Sequence, residues 1–112
     1  MEIRALTSPD VEAMWTINEQ GLPGTGQVSV DELTALMSLS NLSLGAYVDD
    51  ELLGFVICLP PETTYGSLNY AWFNKRYEAF VYVDRIAVLT AHRNEGVGSA
   101  LYRRVAAFAE EC

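Results

Sequence analysis

Basic residues are scarce in this chain. Seven Lys and Arg stand against fifteen Asp and Glu, which leaves a net charge of −8. Gripping nucleic acid needs clustered Lys and Arg to neutralise phosphates, so nucleic acid is excluded as the main partner. An acidic surface favours solubility and tolerates cationic substrates. Cysteine is scarcer still, with only Cys58 and Cys112. They form no CxxC pair and no His stands at ligand spacing from either, so the expectation is no metal. Few cysteines also fit a reducing compartment. Long apolar runs are missing. No segment approaches the ~18 apolar residues of a membrane span, and residues 1–14 hold no run of signal-peptide length. The expectation is a cytoplasmic protein with neither a membrane nor a nucleic acid partner.

What is present is enough for one domain over residues 1–112, able to bury roughly 65% of its unfolded surface. Apolar residues make up 50% of the chain and are spread along it, which argues against disorder. There are no repeats and no low-complexity tract. Residues 2–6 alternate and predict a short strand. Ser8-Pro9-Asp10 predicts a helix start, with Ser8 as the capping hydroxyl and proline at the first helical position. That helix should turn Val11, Met14, Trp15 and Ile17 inward and end near Gly21. Ser29 and Glu32 have capping-box spacing and open a second helix with Leu33, Leu36, Met37 and Leu39 on one face. Residues 42–48 and 52–59 predict strands joined by a tight turn at Asp49-Asp50-Glu51, and Pro60-Pro61 closes the second. Residues 62–77 form an aromatic-rich insertion, of which 69–77 could be a short helix. A strand at 80–89 and a helix at 97–111 complete the order β-α-α-β-β-β-α. The predicted class is α+β, a mixed sheet with helices packed on it.

The stretch from Phe80 to Glu111 carries the chemistry. An apolar strand runs into the turn Arg93-Asn94-Glu95-Gly96-Val97-Gly98, and an amphipathic helix follows at once. Such a turn offers backbone amides, and the helix N-terminus adds a favourable dipole for an anion. Gly96 and Gly98 let the main chain approach that anion closely. His92, the only histidine, sits beside Arg93 and reads as solvent-exposed rather than as a base. Arg103 and Arg104 read as the solvated face of the last helix. Cys58, inside an apolar strand with no paired base suggested, reads as a core residue.

The motif Arg93–Gly98, preceded by Asp84-Arg85-Ile86-Ala87-Val88 and set in this element order, resembles the GCN5-related N-acetyltransferases, the GNAT superfamily. The insertion leading into Tyr82–Ile86 resembles that of a bacterial branch. The resemblance implies an acyl-CoA N-acyltransferase fold. It implies acetyl-CoA as cosubstrate, its pyrophosphate on the amides of Arg93, Asn94, Glu95, Gly96, Val97, Gly98 and Ser99. The pantetheine arm would pair with the edge of Ile86, Ala87 and Val88, and the Val88 N–H would polarise the thioester carbonyl. The acceptor would be a small-molecule or peptide amine, attacked directly in a ternary complex. Asp84 stands where several members place an acid and is the candidate base, acting through water. A structural pairing of Asp84 with Arg85 or another arginine is the competing reading. Tyr82 would share its face by strand alternation. Tyr70, Trp72, Phe73 and Tyr77 either roof the acceptor pocket or pack the insertion onto the sheet. The family fold continues with a fifth strand, a fourth helix and two more strands, so a chain ending at Cys112 is expected to be a shortened domain. Its unpaired strand edge would favour a homodimer. The alternative function is a non-catalytic acyl-CoA-binding or interaction module of the same fold.

Overall fold

The computed structural model describes residues 1–22, 26–60 and 82–110. The insertion and the helix expected at 69–77, with Tyr70, Trp72, Phe73 and Tyr77, lie outside the described residues, as do Phe80 and Cys112. Four strands, β1 (Glu2–Ala5), β2 (Leu42–Val48), β3 (Glu51–Leu59) and β4 (Tyr82–Val88), form one sheet in the order β1-β2-β3-β4. Each neighbouring pair is antiparallel. Helices α1 (Val11–Gln20), α2 (Val30–Leu39) and α3 (Val97–Glu110) pack on it. The class and element order are those expected from the sequence.

The two faces have separate cores. Met14 and Ile17 of α1 and Leu33 and Leu36 of α2 meet Phe55, Ile57 and Leu59 on one side. Val97, Leu101 and Val105 of α3 meet Leu53, Val56 and Cys58 on the other. The α3 residues recur at the four-residue spacing that puts a single stripe on the sheet. β3 is therefore covered on both faces, and Leu52 through Leu59 are all buried. That is why its sequence is an almost unbroken apolar run instead of an alternating one. Each large side chain buried there is worth about 1.5–3 kcal/mol.

Local chemistry sets the element ends. Ser29 caps α2: its Oγ accepts from the Glu32 N–H at 3.0 Å, and Glu32 Oε1 accepts from the Ser29 N–H at 3.2 Å. The β2–β3 turn is tighter than expected, with Glu51 already paired to Val48. Asp49 and Asp50 take φ of 50° and 65°, the left-handed pair a two-residue hairpin needs and short acidic side chains tolerate.

Three expectations need correction. The residue that opens the α1 segment is Thr7, one position before Ser8. Asp10 Oδ2 accepts from both the Thr7 N–H and the Thr7 hydroxyl at 2.9 Å, and Ser8–Asp10 form a short 3-10 turn ahead of α1. Trp15 does not face the sheet. It is 37% exposed and its indole N–H donates to Val28 O at 3.0 Å, pinning the segment before α2. The inward position is taken instead by the polar Asn18, which is fully buried. Finally, β4 is not a regular strand. Ile57 pairs with Arg85 and Cys58 with Val83, leaving Asp84 as an extra residue. Alternation cannot be counted through such a bulge, so the period-two argument linking Tyr82 with Asp84 does not hold.

Candidate active site

The hydrogen-bond phase of β4 follows from its last bond. Leu89 N–H donates to Leu53 O at 2.8 Å, continuing a register in which Ala87 opposes Phe55 and Val88 opposes Gly54. In an antiparallel ladder bonded and non-bonded pairs alternate. Arg85, Ala87 and Leu89 therefore point their backbone groups at β3, while Ile86 and Val88 point theirs away from it. Among the described residues β4 is the sheet edge, so its outer rim carries the N–H and C=O groups of Ile86 and Val88.

Beside the end of that rim lies a depression of about 350 Å³, lined by Val88, His92, Arg93, Asn94, Gly96, Val97, Gly98 and Ser99. Its shape is made by the chain. Asn94 and Gly96 adopt φ of 69° and 82°, two left-handed residues that fold the turn back onto the start of α3. The first helical bond runs from Ala100 N–H to Gly96 O at 3.0 Å, which leaves the amides of Val97, Gly98 and Ser99 without intrahelical acceptors. A Cβ on Gly96 would meet nothing within 4 Å, and one on Gly98 would meet only Val88 Cγ2 at 4.0 Å. The cradle is open on the side where an anion would lie. α3 sits low on the sheet because Gly54 has no side chain: a Cβ there would be 2.9 Å from Ala87 O and 3.0 Å from Val97 Cγ1. All seven residues from Arg93 to Ser99 thus fall on one turn, and a diphosphate fits the group both in size and in donor chemistry.

Asp84 and Arg85 sit side by side because of the bulge. Arg85 Nε is 3.6 Å from Asp84 Oδ2, and the two side chains are only 11% and 5% exposed. Asp84 Oδ2 is buried and, among the described residues, accepts no hydrogen bond. The far end of Arg85 reaches α1: Nη1 donates to Asn18 Oδ1 and to Gly26 O, each at 2.9 Å. Nearby, Thr90 N–H donates to Gln20 Oε1 at 2.9 Å. Asn18, Gln20 and Gly26 were not singled out by the sequence. The one available signal was a polar Asn at a position where the apolar stripe of α1 should continue.

The remaining candidates are less engaged. His92 Nδ1 is 3.1 Å from Glu95 Oε1 at the partly exposed rim of the cradle. Cys58 is buried and reduced, and burial pushes its thiol up to about 11, which makes it inert at neutral pH. Tyr82 heads β4 opposite Leu59. Among the described residues no group of three or more His, Cys, Asp or Glu could hold a metal ion, and no helix is long and apolar enough to cross a membrane.

A family model described as the acetyltransferase (GNAT) family matches residues 11–112. The chain belongs to that family. Its fold is found in solved GNAT structures. An aminoglycoside 6'-N-acetyltransferase from Acinetobacter haemolyticus is 20% identical with a TM-score of 0.71, over 99% of this chain and 72% of that one. A GNAT family acetyltransferase from Brucella melitensis, solved with acetyl-CoA, is 21% identical with a TM-score of 0.71, over 98% and 68%. A GNAT-like decarboxylase bound to isobutyryl-CoA is 18% identical with a TM-score of 0.77, over 96% and 58%. Comparison with curated proteins returned no match. At these identities the likeness concerns the GNAT fold, and the decarboxylase illustrates that one fold serves more than one reaction.

Proposed function

We propose that this GNAT protein is a cytoplasmic N-acetyltransferase that moves an acetyl group from acetyl-CoA to a primary amine. The observation that carries the proposal is the Arg93–Ser99 cradle beside the outer rim of β4, two features that together suit a diphosphate and a peptide-like arm. Acetyl-CoA supplies an activated thioester. The amides from Arg93 to Ser99 hold its diphosphate. A single helix-terminus contact is worth about 0.3–1 kcal/mol, so several must act together. The outward groups of Ile86 and Val88 hold the pantetheine arm as an added strand would. The Val88 N–H donates to the carbonyl oxygen as the amine nitrogen bonds to carbon and the C–S bond breaks. Asp84 receives the amine proton, and the sulfur leaves as thiolate. A lysine-like amine costs about 4.6 kcal/mol to deprotonate at pH 7, which is the work the carboxylate assists. Asp84 is four residues from Val88, about 13 Å along an extended strand, so the amine proton reaches it through a relay of several waters rather than directly.

The test is thiol release from acetyl-CoA by the full-length protein against aminoglycosides, polyamines, amino-acid amides and peptides with free N-termini, alongside calorimetric titration with CoA. Saturable CoA binding with turnover of at least one amine is expected. Absence of both overturns the reading. CoA binding without turnover, and no further loss in Asp84→Ala, selects a non-catalytic acyl-CoA-binding module. That second reading draws on the pairing of Asp84 with Arg85.

A further inference from the structure

The geometry points to Arg85 as a positioning residue for Asp84, with Asn18 as the adaptor that joins it to the segment between α1 and α2. The inference rests on the transferase reading and concerns residues that reading does not use. A guanidinium beside a buried carboxylate normally forks onto it through two parallel bonds, the strongest arrangement available to the pair. Arg85 does not. Its Nε stands 3.6 Å from Asp84 Oδ2, beyond hydrogen-bond range. Its Nη1 is spent on two neutral oxygens, Asn18 Oδ1 and Gly26 O. Asn18 Nδ2 also donates to Gly26 O, at 3.0 Å, so guanidinium, amide and carbonyl form a closed triangle. Burying an amide inside α1 costs stability unless partners satisfy it, and Arg85 and Gly26 are those partners.

The arrangement has a chemical consequence. The guanidinium stands 3.6 Å from Asp84 Oδ2 and, among the described residues, that oxygen has no donor, so it keeps a lone pair for a water or an ammonium. A bidentate pair would have consumed that oxygen. The triangle also fixes Gly26, whose φ of 66° suits glycine, and thereby sets where the chain enters α2. Arg85 thus holds the base and the α1–α2 segment in one frame.

Four variants test this: Arg85→Met, Arg85→Lys, Asn18→Leu and Asp84→Asn. Amide hydrogen exchange at residues 26–29 should quicken roughly 10-fold or more in the first three, with residues 52–58 of β3 unchanged. CoA affinity, read by calorimetry, should stay within about 2-fold, because the cradle lies elsewhere. With any amine that turns over, Arg85→Met should lower kcat roughly 10- to 100-fold with KM for acetyl-CoA unchanged, and Arg85→Lys should recover part of it. The deciding measurement is the double variant Arg85→Met/Asp84→Asn. If Arg85 acts through Asp84, it is no slower than Asp84→Asn alone. Multiplying losses would overturn the inference, as would exchange at 26–29 that ignores Arg85. Failure of the parent protein to bind CoA or to turn over any amine counts against the transferase reading, and removes the role of Arg85 with it.

Discussion

Gly96 and Gly98 look equivalent in the motif, yet their surroundings separate them. Gly96 has a positive φ of 82°, so Ala there strains the backbone by about 1–2 kcal/mol wherever its methyl points. Gly98 has ordinary helical geometry and 4.0 Å of clearance. Replacing it with Ala raises helix propensity by about 1 kcal/mol while putting a methyl where the diphosphate would rest. Gly98→Ala is therefore expected to leave Tm unchanged or raise it, and to weaken CoA binding roughly tenfold or more. Melting curves and calorimetry on the same sample check both halves. Unchanged affinity would mean that the anion lies elsewhere.

At the scale of elements, β4 offers a paired experiment. The Val88 N–H points away from β3 and that of Ala87 points toward it. Proline tolerates an outward edge position but removes a ladder bond at an inward one. Val88→Pro should stay folded and lose about 2.7–4 kcal/mol of transition-state stabilisation, seen as a 10²–10³-fold fall in kcat. Ala87→Pro should lower Tm sharply. Gly54→Ala forces Ala87 O, Val97 and Val88 apart from contacts of 2.9, 3.0 and 3.2 Å and should cost about 1–3 kcal/mol by urea unfolding. Much of this element structure was legible in the sequence. The Ser29–Glu32 spacing, the Asp49-Asp50 turn and the stripe Val97, Leu101, Val105 each state a local rule. The bulge at Asp84 was not legible, because it is a property of how β4 pairs with β3 and leaves no mark on β4 alone. For the same reason Asn18 could not be matched with Arg85: their 67-residue separation is closed only by the packing of α1 on the sheet. Trp15 was misplaced because its size suggests a core, whereas its indole N–H needs an acceptor and finds one at Val28.

For the whole molecule, stability should fall at both ends of the pH scale, for different reasons. Asp10 is the acid-side group. Burial pushes its carboxyl up, but bonds from Thr7 and Tyr47 and the charge of Arg4 outweigh this and hold it below its ordinary value. A lowered carboxyl contributes stability above its unfolded pKa of about 4 and loses it as pH falls through the folded value. Tyr47 and Cys58 act on the alkaline side. Burial, then the bond to Asp10, lifts the Tyr47 phenol from 10.0 to about 12, and burial lifts the Cys58 thiol from 9.0 to about 11. Raised acids contribute fully below their unfolded values and lose that contribution as pH climbs through the folded ones. Urea midpoints from pH 3 to 12 should therefore hold between about 5 and 9 and drop on either side. Tyr47→Phe should flatten the upper limb and, by removing the 2.9 Å bond that helps hold the Asp10 carboxyl down, flatten the acid limb as well.

The two-residue connection between β2 and β3 has a bearing on how the chain folds. Ends so close in sequence meet within microseconds, whereas β4 must return across the 22 residues from 60 to 81, a slower closure. The hairpin is thus the early platform, and the strand whose rim is assigned to the thioester arrives after it. Assembly of the reactive edge is consequently a late event, and lesions that slow it should accumulate a collapsed species with β2 and β3 already zipped.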